Sequence, residues 1–298
     1  MKITIGTRGS NLAVIQTNSI AEAIQEKYPD VEVEIKIIKT KGDIFLDTPL
    51  HKLNDKGLFV KEIENELLSG EIDLAVHSMK DMPSEMTEGL VFAKPPKSHD
   101  PADVLVLRNP ISSLSELKNG RIGTGSKRRT YQLERLIENI EVVPIRGNIE
   151  TRMSKIESEN LDAVILAKAG LERASHQDRI GYVLDPKIFL PSPCQGILAL
   201  QYNEKNIEVG EILNSLSDEN TLYRYETERM YQKTIGAGCH SPVGIYTEIK
   251  DDNIVIYGMY GDEDGSRLIF KEISGPLGDR LSLSEKLANS IKEELDNE

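Results

Sequence analysis

The sequence predicts an α/β protein: two hinged α/β lobes followed by a small C-terminal α+β domain. Three observations predict it. Short apolar strands alternate with helix-period segments through the first two-thirds of the chain. Two proline-rich stretches, KPPKSHDPAD (94–103) and DPKIFLPSP (185–193), interrupt that alternation. After about residue 215 the pattern changes to a helix followed by three strands.

The elements follow in order. Ile3 and Ile5 mark a strand, and Gly6 to Gly9 form a turn. Ser10 or Asn11 then caps a helix whose apolar face carries Ala13, Ile20 and Ile24, with Tyr28-Pro29 ending it. Val31, Val33, Ile35 and Ile37 alternate as a half-buried strand. A helix through Phe59, Ile63 and Leu67 precedes a buried strand, Ile72 to Val76. Strand–helix–strand order with short links implies right-handed crossovers and a largely parallel sheet.

The middle of the chain repeats the plan. Arg121-Ile-Gly leads into a helix near Arg128 to Glu138, and Val142, Val143 and Ile145 form a strand. A helix from Ile149 to Ser158 precedes the strand Ala163 to Leu166. GTRGSN (6–11) echoes GTGSKR (123–128), and GEIDLAVHS (70–78) echoes ENLDAVILA (159–167). The expected boundaries are 1–96 with 192–214 for the first lobe, 97–191 for the second, and 215–298 for the last domain. Two crossings between two lobes make a hinged pair with a cleft. The last domain reads as a helix, Leu222 to Lys233, strands near 243–249, 254–260 and 268–273, and an acidic closing helix. The stretch from Asp43 to Gly57 has little periodicity and reads equally as a mobile lid or a plain surface loop.

Composition excludes several classes. With 39% hydrophobic and 29% charged residues in 298, the chain has an ordinary globular profile. No apolar run approaches the roughly 18 residues a membrane span needs. The formal net charge, 36 − 49 = −13, argues against nucleic acid or an anionic membrane as partner. Cys194 and Cys239 lack CxxC spacing and the five histidines lack HExxH pairing, so no metal is expected. The expected address is the cytoplasm, with free thiols, and the expected state a monomer. GRIGTGSK (120–127) is not a P-loop, because Ser126 follows the glycine where the phosphate-binding lysine must stand.

What survives is an anion site. Between Arg121 and Arg152 seven Lys or Arg stand against four Glu, a basic stretch in an acidic chain. Arg8 lies in a turn entering one helix, and Arg128 and Arg129 at the start of another; helix N-termini and guanidinium forks both favour carboxylates. Arg146 follows a strand, Arg152 lies in the next helix and Arg173 follows the strand at 163–166. The ordinary alternative for any single arginine is a solvated surface role. The set, placed repeatedly at strand ends and helix starts, favours function. HSMKD (77–81) stands at the same sheet edge, where Asp81 is a candidate catalytic carboxylate. Cys239, in the glycine turn GAGCHSPVG (236–244), is either a reactive thiol or a buried structural one; Cys194 is taken as structural.

GTRGS, TKGD (40–43), KGLFVKE (56–62), AVHSMKDMP (75–83), GTGSKRR, IRGNIETR (145–152) and GAGCHSPVG together resemble the porphobilinogen deaminase family, from residue 3 to about 245. The resemblance implies a cytoplasmic transferase of tetrapyrrole biosynthesis. It would condense four porphobilinogen molecules head to tail into hydroxymethylbilane, releasing ammonia at each step. It further implies a dipyrromethane cofactor in thioether linkage to Cys239, with Asp81 as the main catalytic residue. By the same resemblance Lys80, Ser78, Thr124, Ser126, Arg128, Arg129 and Arg146 contact the cofactor. Arg8, Ser10, Arg152, Arg173 and Lys56 contact substrate, Lys56 from a mobile loop. The implied fold is three domains, two hinged like type II solute-binding proteins. The chain departs from the family where Gly125 and Lys127 stand for the usual Ser and Leu, and Cys194 for a small residue, usually Gly.

Two other readings use the same residues. An arginine-lined cleft between lobes also suits a binding protein for small carboxylates, though the Cys239 motif has no purpose there. A cysteine-nucleophile enzyme would pair Cys239 with His240, but neighbouring side chains on a strand point to opposite faces.

Overall fold

The protein is described by a computed structural model covering residues 1–39, 60–83, 86–236 and 241–297. The expected lid, with Lys56, and the Cys239 position lie outside the described residues. The chain forms two compact units: Met1–Ser98 with Ile197–Leu222, and His99–Gly196 with Tyr223–Glu298.

In the first unit, β1 (Lys2–Arg8) is flanked by parallel β2 (Glu32–Ile38) and β3 (Leu74–Ser78). Strand β10 (Leu198–Asn203) runs antiparallel to β3 and then to β4 (Leu90–Phe92), giving the order β2-β1-β3-β10-β4. Helix α1 (Asn11–Lys27) buries Ile20 and Ile24 against Ile3, Ile5, Leu74, Val76, Leu198 and Leu200. Each such aliphatic side chain, fully buried, contributes about 1.5–3 kcal/mol. Ser10, not Asn11, is the N-cap, its hydroxyl accepting from Ala13 N. Helix α2 (Lys61–Ser69) packs Ile63 and Leu67 on the opposite face, over Ile38, Ile72 and Ala75.

Strand β3 starts two residues later than the apolar run suggests. Asp73 accounts for the shift: its amide donates to Thr4 O and its carboxylate accepts from Thr4 N, both at 2.8 Å, so the ladder opens at Leu74 opposite Ile5. The strand therefore ends on Ser78, inside the HSMKD motif.

The second unit repeats the sheet. Strand β6 (Arg121–Gly123) is flanked by parallel β7 (Glu141–Val143) and β8 (Ala163–Ala167). Antiparallel β5 (Asp103–Leu107) follows β8, then β9 (Tyr182–Val183), in the order β7-β6-β8-β5-β9. The sequence echoes fall on equivalent places: β1 with its turn matches β6 with its turn, and β3 matches β8. Helices α3 (Lys127–Leu136), α4 (Ile149–Ser158) and α5 (Lys168–Arg173) follow β6, β7 and β8. Ser126 caps α3 as Ser10 caps α1, its hydroxyl accepting from Arg129 N.

Helix α6 (Ile207–Asn214) closes the first unit, and α7 (Glu219–Ile235) leads into the C-terminal sheet. That sheet is an antiparallel meander of β11 (Gly244–Lys250), β12 (Asn253–Gly261) and β13 (Leu268–Pro276). Its core joins Tyr231 and Ile235 of α7, Ile245, Ile254 and Ile256, and Leu287 and Ile291 of α8 (Arg280–Asn297).

One backbone position at the edge of the second unit constrains the sequence tightly. Gly196 has φ +89°, and a Cβ there would lie 2.5 Å from His99 O. Its own carbonyl accepts from His99 N at 3.2 Å and Arg173 Nη2 at 2.7 Å. Gly196→Ala combines left-handed strain with a backbone clash and is expected to cost more than about 1 kcal/mol. Urea denaturation of the purified variant measures this, and a midpoint matching wild type would refute it.

Candidate active site

In the first unit the candidate residues gather at the C-terminal ends of β1 and β3. Arg8 is the last residue of β1 and Ser78 the last of β3. Gln16 of α1 donates from Nε2 to Ser78 Oγ at 3.1 Å, so the helix capped by Ser10 also holds the end of β3. A single 3-10 turn, Met79–Asp81, follows. Met79 and Met82 are buried, and Met79 N donates to Ile197 O at 3.0 Å. These two anchors stand three residues apart, on one side of so tight a turn. Lys80 is left half-buried and Asp81 exposed. The alternation of apolar anchors and polar residues in MKDM thus presents the carboxylate.

His77 lies on the other face of β3 and is buried. Burial, together with the nearby Arg8 charge, pushes its pKa down to about 4, against the opposing effect of Gln201. Gln201 in turn donates to Glu64 Oε1 at 2.9 Å, and Thr87 donates to Glu64 Oε2 at 2.8 Å. A neutral imidazole and a bonded carboxylate therefore support the motif from beneath.

In the second unit a residue that the sequence reading missed takes the central place. Asp103, the first residue of β5, is entirely buried. Its Oδ2 accepts from Arg128 Nη1 at 2.8 Å; its Oδ1 accepts from Arg129 Nη2 at 2.6 Å, Arg129 Nε at 3.1 Å and Gln195 Nε2 at 2.9 Å. Burial alone would raise the carboxyl's pKa. The charges and hydrogen bonds of Arg128 and Arg129 outweigh it and hold the group well below the usual carboxylate range. Both guanidiniums are buried as well. Arg128 Nη1 also reaches Leu190 O at 2.6 Å, and Arg129 Nη1 reaches Ile165 O at 3.2 Å. Two cations and one anion leave the cluster with 2 − 1 = +1. Arg128 Nε and Nη2 make no hydrogen bond among the described residues.

The remaining candidates surround this cluster unevenly. Thr124 is buried and its Oγ1 accepts from Ser126 N at 3.2 Å, shaping the turn into α3. Arg146 is exposed in the turn after β7. Arg152 is half-buried and donates from Nε to Gly147 O at 2.8 Å. Arg173, at the end of α5, is pushed down to about 10, chiefly by burial, and stays a cation at neutral pH. The structure thus brings Arg128, Arg129 and Ser126 together on α3, while Arg146, Arg152 and Arg173 sit on separate elements. The signal for Asp103 was available: a carboxylate heads the apolar strand DVLVL in a chain with a local arginine excess.

Cys194 is buried, and burial with the nearby Glu228 carboxylate pushes its thiol well above the ordinary value. Such a thiol is unreactive. Its amide donates to Glu228 Oε2, while Arg224 Nε and Thr247 Oγ1 bond Glu228 Oε1 at 2.7 and 3.2 Å. As a chemistry-bearing cluster, the second unit offers donors and excess positive charge; the first offers an exposed carboxylate.

Comparison with known proteins shows the family. Residues 3–211 match the family model "Porphobilinogen deaminase, dipyromethane cofactor binding domain", and residues 222–295 match "Porphobilinogen deaminase, C-terminal domain". The chain belongs to the porphobilinogen deaminase family. A porphobilinogen deaminase of Clostridium novyi is 47% identical over 99% of this chain and 100% of its own length. One from Clostridioides difficile is 46% identical over 100% of this chain and 99% of its own. Among solved structures, the L-cystine solute receptor of Neisseria gonorrhoeae covers 78% of this chain and 92% of its own, with TM-score 0.44 and 16% identity. No helix among the described residues is long and apolar enough to cross a membrane.

Two outcomes follow from the site's electrostatics. The His77 pKa is depressed in the folded chain, so the stability it contributes is complete above about pH 6.5 and is lost as pH falls toward 4. NMR titration of the imidazole signals should find His77 neutral at pH 5.5; a protonated ring there contradicts the assignment. Asp103→Asn leaves two buried guanidiniums facing a neutral amide and should cost about 3–5 kcal/mol at pH 7. The wild-type contribution is present above the ordinary carboxylate value of 3.8 and fades below it, so the variant's deficit in urea denaturation should shrink in acid.

Proposed function

We infer that the chain joins four porphobilinogen molecules head to tail into hydroxymethylbilane, releasing ammonia, with a dipyrromethane cofactor carried on Cys239. The observation that carries this reading is the net positive charge left by Arg128 and Arg129 around Asp103, at the capped N-terminus of α3. A pyrrole bearing acetate and propionate groups supplies the matching negative charge, and the uncommitted Nε and Nη2 of Arg128 supply directional donors. The donor set therefore fits a carboxylated pyrrole cofactor. Thr124, Ser126, Arg128, Arg129 and Arg146 would hold it, with Ser78 and Lys80. When bound, the cofactor supplies the pyrrole ring to which incoming units are joined.

Asp81 does the proton chemistry in this reading. Its exposed carboxylate, presented by the buried Met79 and Met82, accepts pyrrole N–H groups, balances positive charge as ammonia leaves, and takes the proton lost from the attacked ring carbon. Arg8, Ser10, Arg152, Arg173 and Lys56 orient the substrate's carboxylates. A desolvated cation such as Arg173 gains most from such a partner. The chain acts as a cytoplasmic monomer without nucleic acid; the net charge of −13 supports the absence of nucleic acid and the free thiol of Cys194 a reducing compartment.

Intact mass of the purified protein beside Cys239→Ala tests the reading. The wild type should exceed its sequence mass by two deaminated porphobilinogen units and the variant should not. An unmodified wild type, unchanged after incubation with porphobilinogen, points instead to a carboxylate-binding protein. Asp81→Asn should keep the cofactor mass and lose about 10²–10⁴-fold in turnover; near-normal turnover removes Asp81 from its role.

A further inference from the structure

Helix α3 carries a second side-chain stripe that the reaction does not use. Arg128, Arg129, Gln132 and Leu133 face inward. Lys127, Tyr131 and Arg135, spaced four residues apart, line another face. All three meet the β12–β13 hairpin. Lys127 Nζ and Tyr131 OH each donate to Glu263 O at 2.8 Å. The Arg135 guanidinium lies 4.1 Å from the Phe270 ring centroid. Gly265, with φ +78°, packs so closely that a Cβ would fall 2.4 Å from Tyr131 Cδ1.

The inner face reaches the same sheet by another route. Gln132 brackets Leu190, accepting from its amide at 2.7 Å and donating to its carbonyl at 3.0 Å. The next carbonyl, Pro191 O, accepts from Ile245 N of β11 at 3.0 Å. Helix α3 is therefore gripped on two sides by parts of the C-terminal meander. The hairpin is acidic, with Asp262, Glu263 and Asp264 in succession, and Lys127 faces it from the start of α3. Charge complementarity and shape both fix one register between them.

We propose that Lys127, Tyr131 and Arg135 are positioning residues: they latch α3 to the β12–β13 hairpin and hold its first turn where Ser126 and Arg128 meet the ligand's carboxylates. This rests on the function proposed above. Lys127, which stands where the resemblance leads one to expect leucine, gives the latch a charged donor at its most N-terminal point. Because Tyr131→Phe retains the ring against Gly265, the latch can be opened without emptying the contact.

The test compares wild type, the triple variant Lys127→Leu/Tyr131→Phe/Arg135→Leu, and the conservative variant Lys127→Arg. Hydrogen exchange of the amides of residues 129–133 should quicken about tenfold in the triple variant, while exchange in the first unit stays unchanged. The kcat for porphobilinogen should fall about fivefold or more with KM within about twofold, because α3 holds the cofactor that primes the chain and not the incoming substrate. Lys127→Arg should keep wild-type values in both measurements. Unaltered local exchange with unaltered kcat overturns the latch. Exchange raised uniformly, with kcat unchanged, assigns the stripe to general stability and equally overturns it. A wild type that neither carries the cofactor mass nor consumes porphobilinogen overturns the parent reading along with this one.

Discussion

A buried carboxylate with two buried guanidiniums is the constraint on which the second unit depends. Asp103 opens β5, Arg128 and Arg129 open α3, Ile165 belongs to β8, and Leu190 and Gln195 belong to the return segment. No single member tolerates burial alone, because an isolated buried charge costs several kcal/mol. Together they fix the angle at which α3 leaves its strand. The same requirement leaves the site cationic, since one carboxylate cannot neutralise two arginines. In the proposed reading, structure and ligand preference come from one charge imbalance.

The two sheets share one plan, yet their equivalent turns serve different ends. After β1 the turn yields Arg8 and the Ser10 cap; after β6 it yields the Ser126 cap and the inward-facing arginine pair. At the end of β3 stands the 3-10 turn presenting Asp81, whereas the equivalent end of β8 runs into α5 and Arg173. A repeated scaffold delivers side chains to equivalent edges, and in the proposed reading the side chains divide the work between proton chemistry and anion binding.

Much of the fold was legible because hydrophobic period and capping residues are local signals. Helix α4 matches its expected span, and the C-terminal strands fall within a few residues of theirs. The start of β3 was misjudged because Ile72 is apolar and buried, while the ladder is set by the Asp73–Thr4 exchange, a contact across the sheet. Candidate residues at strand ends and helix starts were found for the same local reasons. Asp103 was not, because its meaning lies in partners 25, 26 and 92 residues away. Lys127 was read only as a departure from the usual Leu; its partner, a backbone carbonyl 136 residues on, leaves no trace in composition or spacing.

The return segment at 194–196 has a consequence for how the chain folds. Cys194 lends its amide to Glu228 of α7, Gln195 gives its side chain to Asp103 and its carbonyl to Arg224, and Gly196 receives Arg173. Three adjacent residues therefore spend their polar groups on partners from both the second sheet and the C-terminal helix. Removing α7 takes away the acceptor of the Cys194 amide and a donor to Gln195 O, and uncovers a buried segment to solvent. The C-terminal domain is accordingly not an appendage that can be lost while the second lobe stands. The two belong to one compact unit, and the chain must be made through Glu228 before the contacts that tie Gln195 to the arginine cluster can all form.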